Sequence, residues 1–324
     1  MSGIKSEHPT LDDIRAAARR IEPHVHRTPV LTCQAIDDAV GCEVFLKCEN
    51  LQKVGAFKAR GASNAVFSLT NAEADHGVVT HSSGNHAQAL AWAAARRGIP
   101  AHIVMPTNAP MVKKKGVLGY GGIVHDCEPT LQSRMETCQR VAEETGGTVI
   151  PPYDDDRVIA GQGTIALEFL GQVPDLDAIV VPVGGGGMIA GIAICAKSLS
   201  PRIAILGAEP QLVDDAARSR SSGRIEDHVG DPTRTIADGL RTTLGKRTFP
   251  VIQELVDDII TVPESAIRAG LRLVMERAKL VIEPSAAVGI AAAQSDALQA
   301  RGHRRIGVVL CGGNLDLDAL PTLL

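Results

Sequence analysis

Four consecutive glycines, Gly184, Gly185, Gly186 and Gly187, constrain the fold more than any other feature of this chain. Before them, residues 178–183 form a short, continuous apolar run of the kind that makes a strand buried on both faces. After them, residues 188–199 carry the Ala- and Ile-rich pattern of a buried helix. A glycine turn leading from a buried strand into a helix belongs to an α/β fold with a mostly parallel sheet. At such a turn the unpaired amides of the helix N-terminus converge on one point, and glycine lets the backbone approach a bound anion closely. Phosphate is the ligand this arrangement suits, because the helix dipole favours negative charge there. A ligand-free tight turn would not need four glycines, whose ordering is entropically costly.

The same alternation runs along the chain. Strand patterns at 43–48, 78–81, 102–105, 123–126, 203–208, 258–262 and 306–310 are interleaved with helical patterns at 10–21, 85–97, 131–145, 264–279 and 286–300. The first helix opens with Thr10 and Asp13 in capping-box spacing. At roughly 100–200 residues per domain, the chain's 324 residues fit two domains. A compact set of βα units stands between the polar stretches 68–75 and 151–157. The expectation is therefore a small domain, 71–151, inserted into a large one formed by 1–70 and 152–324. Residues 218–234, rich in Ser, Gly and Asp, read as a surface loop.

Composition excludes several classes of function. Thirty-three basic and 37 acidic residues are interleaved along the chain and leave a net charge of −4, so no electrostatic footprint for nucleic acid or anionic lipid exists. Aromatics are only 2% of residues, so the core is built from Ala, Val, Ile and Leu, and rings for stacking on bases are scarce. The expected partner is a small molecule. No apolar stretch approaches the ~20 residues of a membrane helix. The polar start of the chain has no apolar core of a secretory signal, which points to a cytoplasmic protein. The seven cysteines are odd in number, scattered and free of C-x-x-C pairs, which argues against a disulfide framework or a zinc site.

Three further segments carry possible chemistry. Lys58 lies in Gly55-Ala56-Phe57-Lys58-Ala59-Arg60-Gly61, at the expected start of a helix. A lysine is usually a solvated surface charge. The turn His81-Ser82-Ser83-Gly84-Asn85-His86 also ends a strand pattern and opens a helix, where it is either an ordinary N-cap or a carboxylate site. Cys311 ends the strand pattern of 306–310 and precedes two glycines, which puts it at the same carboxyl edge as the glycine loop. Ligands of open α/β sheets bind at that edge, although a cysteine there is more often packing. Gly185, Gly187 and Ala190 also fit the spacing G-x-G-x-x-A, with Glu209 about 20 residues on. That alternative makes the chain an NAD-dependent dehydrogenase and leaves the other segments without a role.

Taken together, Glu49-Asn50-Leu51-Gln52-Lys53 leading to Phe57-Lys58, Ser82-Ser83-Gly84-Asn85-His86, Ala160-Gly161-Gln162-Gly163-Thr164, the glycine loop, Ile236-Ala237-Asp238-Gly239 and Cys311-Gly312-Gly313-Asn314 resemble the serine racemase and serine/threonine dehydratase family, which includes 3-hydroxyaspartate ammonia-lyases. The resemblance runs from about Thr28 to Asp316 with every motif in order. It implies a fold type II enzyme dependent on pyridoxal 5'-phosphate, like the tryptophan synthase β chain, with two open, mostly parallel sheets covered by helices.

The resemblance also implies roles. Lys58 would hold the cofactor as a Schiff base and act as a base once burial lowers its pKa. Phe57 and Gly239 would line the cofactor, Asn85 would hydrogen-bond the ring hydroxyl, and the four glycines would bind the phosphate. Cys311 would face the pyridine nitrogen; a neutral thiol limits the ring as an electron sink, which suits elimination of a β-hydroxyl. Ser83 resembles the racemase pattern and would supply a second acid/base group, whereas Cys311 resembles serine dehydratases. Ser82, Ser83, Asn85 and His86 would contact the substrate, with Tyr153 at the mouth of the site.

Glu209, Asp215 and the carbonyl of Val213 would hold Mg²⁺, or Ca²⁺ or Mn²⁺, with the oxygen ligands that hard cations prefer. Without the resemblance, these acidic residues read as a strand end and a helix first turn. Arg134 and Arg241 could take a second substrate carboxylate and so select 3-hydroxyaspartate over L-serine or L-threonine. The expected reaction is an ammonia-lyase (dehydratase) reaction giving a 2-oxo acid and ammonia. Serine racemisation with dehydratase side activity is the alternative. A non-catalytic binding module would have no reason to keep Lys58, Ser83 and Asn85 together. A homodimer is expected from the family, and feedback through a C-terminal regulatory domain is not.

Overall fold

The structure is a computed structural model that describes residues 8–109 and 111–324; most of the polar stretch 1–10 lies outside the described residues. Ten strands form two sheets among the described residues: β1 (Val30–Leu31), β2 (Glu43–Lys47), β3 (Val78–His81), β4 (Ala101–Pro106), β5 (Ile123–Cys127), β6 (Thr148–Val149), β7 (Ala178–Pro182), β8 (Ala204–Pro210), β9 (Asp258–Val262) and β10 (Arg305–Val309). The larger sheet runs β1-β2-β10-β7-β8-β9 and the smaller β5-β4-β3-β6. All pairings are parallel except β1 with β2. The sheet class expected from the alternating pattern is the one observed.

Register decides where the site forms. Val180 on β7 lies opposite Val308 on β10, and Val308 lies opposite Leu46 on β2. Three parallel strands therefore end at one edge, and the segments that follow them, headed by Gly184, Cys311 and Asn50, leave the sheet side by side. Every residue of β7 is buried, as expected for a strand covered on both faces. The main core gathers Val and Ile from β7, β8 and β10 with the Gly187–Leu199 and Pro284–Ala293 helices. A second core beneath the small sheet recruits Ala62, Ala65 and Val66 from the Lys58–Ser68 helix, so the helix that starts with Lys58 packs toward both sheets' territory.

Local chemistry explains most element boundaries. The Leu11–Ile21 helix has its capping box: Thr10 accepts from the Asp13 amide, and the Asp13 carboxylate accepts from the Thr10 amide. The Asn85–Arg97 and Leu131–Thr145 helices begin and end as read, each closed by a left-handed glycine, Gly98 and Gly146. Four readings need correction. Residues 218–222 belong to the Asp215–Ser222 helix rather than to a loop, which starts at Gly223. The 264–279 pattern is an α-helix only over Glu264–Leu273 and then widens into a π segment, Val274–Ala278. The 286–300 pattern splits into Pro284–Ala293 and Asp296–Gln299, with Ser295 capping the second piece. The 17-residue Asp156–Gln172 helix was not read at all: Gly161 and Gly163 look like breakers, yet both sit on buried helix contacts. Among the described residues, no helix is long and apolar enough to cross a membrane.

Candidate active site

Lys58 opens its helix directly behind Phe57, whose backbone N–H donates to the carbonyl of Cys311 at 3.0 Å. The lysine is half-buried and its Nζ donates to the carbonyl of Pro152 at 2.5 Å. Burial pushes its pKa down to about 8, against the raising effect of Cys311 and Glu283. A lysine amine that is partly unprotonated near neutral pH is a nucleophile and a base. The helix is anchored from behind by Arg60. This fully buried guanidinium is bidentate to Glu49 (Nε to Oε2 and Nη2 to Oε1, both 2.8 Å) and also grips both oxygens of Glu168 at 2.8 Å.

The glycine loop lies one strand away. Gly186 caps the Gly187–Leu199 helix at φ +87°, a conformation that only glycine adopts without strain. A side chain at Gly185 would meet the Tyr153 ring at 2.3 Å, so Tyr153 closes over the loop. Thr248 braces it from the other side, its hydroxyl donating to the carbonyl of Gly185 at 2.8 Å. Gly239 is the loop's neighbour, since a side chain added at Gly184 would come within 3.3 Å of the Gly239 carbonyl. The Gly239 amide donates to Ser285 Oγ at 3.0 Å.

The serine turn faces this ground from the small sheet. Ser82 holds the turn, its hydroxyl accepting from the Gly84 amide at 3.3 Å. The half-buried Ser83 makes no side-chain hydrogen bond among the described residues, and nothing lies within 4 Å of a side chain added at Gly84, so the turn opens onto free space. His86 is buried, and its Nε2 lies 3.0 Å from the carbonyl of Ile150 and must donate there. Its Nδ1 is left as a buried acceptor without a partner. Burial, then the charge of Lys58, pushes His86 down to about 3, so the imidazole is neutral.

Asn85 donates from Nδ2 to both carboxylate oxygens of Glu283, at 3.0 and 3.1 Å. Glu283 is a site residue that the sequence reading missed. Burial pushes it up to about 7, opposed by the Asn85 hydrogen bond. Cys311 is 2% exposed, and burial, then Glu283, raises its thiol well above the usual range, so it is neutral.

The arginines differ in placement. Arg241 turns back on its own loop, with Nη2 donating to the carbonyl of Thr235 at 2.5 Å. Arg134 comes close enough to His81, at the end of β3, to help lower its pKa after burial has done so first. Neither forms an ion pair among the described residues, and each has a buried Nε without a hydrogen-bond partner.

Glu209 and Asp215 are each 1% exposed. Both oxygens of Glu209 accept backbone amides, from Ala216 at 2.9 Å and Ala217 at 3.0 Å. Asp215 has two buried oxygens without a hydrogen bond; His228 Nδ1 lies 3.0 Å from one of them but out of line. Val213 is fully buried beside them. Among the described residues, no three His, Cys, Asp or Glu side chains gather as a metal cluster. Two neighbouring buried carboxylates, one of them with neither oxygen hydrogen-bonded, next to a backbone turn still suit one hard cation. With Glu209 tied onto the next helix, the dinucleotide reading loses the acidic residue that a ribose would need.

Fold and site together define an α/β protein in which a glycine loop, a low-pKa lysine and a neutral thiol meet at one sheet edge. Residues 21–312 match the family described as "Pyridoxal-phosphate dependent enzyme", and the chain belongs to it. A serine racemase of Arabidopsis thaliana is 51% identical over 312 residues, covering 95% of this chain and 93% of that one. The "beta-hydroxyaspartate dehydratase" of Paracoccus denitrificans is 46% identical over 313 residues, covering 97% and 98%. The structure of maize serine racemase superposes with a TM-score of 0.94 at 48% identity, covering 97% of this chain and 96% of that one. The resemblance read from the motifs therefore holds over the whole fold, and the chain depends on pyridoxal phosphate.

The residues present fit that cofactor: the glycine cradle suits its phosphate, and Lys58 offers it a nucleophilic amine. Sequence reasoning missed Glu283, Arg60 and Glu49 in these functional roles. Arg60 and Glu49 carried a signal, Arg60 by its place in the segment around Phe57-Lys58 and Glu49 at the head of the Glu49-Asn50-Leu51-Gln52-Lys53 motif, whereas Glu283 carried none.

Proposed function

We propose that this chain is a pyridoxal-phosphate-dependent ammonia-lyase acting on a small β-hydroxy amino acid, L-serine, L-threonine or 3-hydroxyaspartate: the β-hydroxyl leaves as water, hydrolysis of the released enamine takes one water back, and the net products are a 2-oxo acid and ammonia. The observation that carries the reading is Lys58, a half-buried amine with its pKa lowered to about 8, beside a neutral Cys311. The cofactor supplies an electron sink for the bond electrons released at the substrate's α-carbon. Lys58 removes the α-proton. The Ser82-Ser83 turn and its open approach receive the substrate carboxylate. Arg134 has no acidic partner, which supports 3-hydroxyaspartate, whose second carboxylate would supply one.

Serine racemisation is the second reading, favoured by the unengaged hydroxyl of Ser83 as a second proton-transfer group. Glu209, Asp215 and the carbonyl of Val213 hold a divalent cation in this proposal, Mg²⁺ before Ca²⁺ or Mn²⁺. The reading also includes a homodimer in the cytoplasm and the inserted small domain 71–151, whose support is that all four strands of the small sheet fall within it.

The test uses purified protein loaded with pyridoxal phosphate. Release of 2-oxo acid from L-serine, L-threonine and each 3-hydroxyaspartate diastereomer is measured beside chiral analysis of the remaining amino acid. Oxo-acid release from any of them supports the lyase. Accumulation of D-serine without oxo acid replaces it with the racemase.

A further inference from the structure

We propose that Glu283 is a positioning residue whose carboxylate holds the Asn85 side-chain amide so that it offers an N–H group, not its carbonyl, to the cofactor. The inference rests on the pyridoxal-phosphate reading of the site. It begins with an ambiguity: an asparagine amide can present either end, and only its neighbours decide which. Here both ends are committed. Asn85 Oδ1 accepts from Asn314 Nδ2 at 2.8 Å, and Asn314 Nδ2 in turn donates to the carbonyl of Val54 at 2.8 Å. Because Asn314 Nδ2 serves two acceptors, Asn85 must show it oxygen. Asn85 Nδ2 then meets Glu283 Oε1 and Oε2 at 3.0 and 3.1 Å. A carboxylate between two acceptor oxygens can share one N–H, which leaves the second N–H of Asn85 for a ligand.

Glu283 is itself held rigidly. It is 4% exposed, its amide donates to the carbonyl of Gly312 at 3.0 Å, and it precedes the Pro284–Ala293 helix. A side chain at Gly312 would come within 2.7 Å of its carboxylate, so the acid lies directly against the turn that follows Cys311. Lys58, Cys311, Asp238 and Lys113 are the charged or titratable groups whose fields reach it. Burying a carboxylate here is costly unless its hydrogen bonds serve something. What it serves is the Asn85 amide of the serine turn, which Asn314 ties in turn to the C-terminal glycine turn and the Val54 carbonyl.

The experiment measures the dissociation constant of pyridoxal phosphate and the visible spectrum of the holoenzyme for wild type, Asn85→Ala, Glu283→Ala and the double variant. Losing a hydrogen bond of this class weakens binding by about tenfold. Each single variant is expected to show that loss with the same spectral shift, and the double variant no more than either one alone. Independent, multiplying effects, or a Glu283→Ala protein that binds and absorbs like wild type, would overturn the proposal. Should Glu283→Ala not fold, Glu283→Gln and Glu283→Met carry the test. Gln still accepts from Asn85 and is expected to stay within about threefold of wild type, while Met, which cannot accept, shows the tenfold loss. If Gln falls with Met, charge and not positioning is the role of Glu283, and the proposal fails. A wild-type protein without any visible band would instead sink the pyridoxal-phosphate reading itself.

Discussion

The backbone N–H of Phe57 donates to the carbonyl of Cys311 at 3.0 Å, and the adjoining Ala56 pairs with Gly312 in an isolated antiparallel bridge. Residues more than two hundred positions apart thus share one piece of backbone geometry. The amine of Lys58 and the thiol of Cys311 are set by the same contact.

The first prediction follows from the depressed pKa of Lys58. Its ordinary value is 10.5 and burial lowers it to about 8. A depressed lysine gains its free amine as pH rises through the lowered value, not the ordinary one. Attachment of pyridoxal phosphate to the apo protein should therefore accelerate between pH 7 and 9 and level off above that, as followed by the visible band in stopped-flow absorbance. A rate still climbing tenfold per pH unit beyond 10 would place the lysine among ordinary surface amines. Lys58→Ala should give no band that survives dialysis and no label after borohydride reduction.

How much of this was legible in the sequence depends on what each residue needs from its neighbours. The glycine loop, the serine turn and Cys311 were readable because each interrupts a periodic pattern at a strand end, where the parallel fold collects ligands. Glu283 was not. Standing before Pro284, it looks like the start of a helix, and its partners Asn85 and Gly312 are remote in sequence. The small strands β1 and β6, of two residues each, are too short to leave a period. The Asp156–Gln172 helix escaped because burial on most sides erased its amphipathic stripe.

Arg60 carries the second prediction. With Arg60 and Glu49 both fully buried, removing the Glu49 charge leaves Arg60 only the carboxylate of Glu168, which Lys47 already shares, so two cations are left with one anion in the core. Glu49→Gln should cost about 3 kcal/mol in urea unfolding. Restoring the balance with an apolar Arg60→Met on top should recover part of the loss, which a double-mutant cycle reads directly. Additive losses would show that the pair is not coupled.

A divalent cation at Glu209 and Asp215 would be seen in thermal unfolding. Neither buried oxygen of Asp215 accepts a hydrogen bond, so a cation bound there in the folded state alone should raise its stability. With Mg²⁺ or Ca²⁺ well above its dissociation constant, the Tm should rise by roughly 3–8 °C. EDTA should reverse the rise, and Asp215→Asn should abolish it. A Tm indifferent to the cation would empty the proposed site.

In the proposed reaction, Arg134 is the residue that selects the substrate. Its guanidinium has no acidic partner among the described residues, its Nε is buried without a hydrogen bond, and its charge reaches His81 at the head of the serine turn. A cation so placed gains most from a substrate that brings a second carboxylate, because the pair forms away from full solvent screening. Arg134→Met keeps the packing of the stem and deletes the charge. The variant should lose about 30-fold in kcat/KM toward 3-hydroxyaspartate and less than about threefold toward L-serine, as expected for one charge-assisted contact. Arg241, already engaged with the carbonyl of Thr235, should show the smaller effect when changed in the same way. Equal losses on both substrates would mean that Arg134 shapes the turn and does not read the substrate's far end.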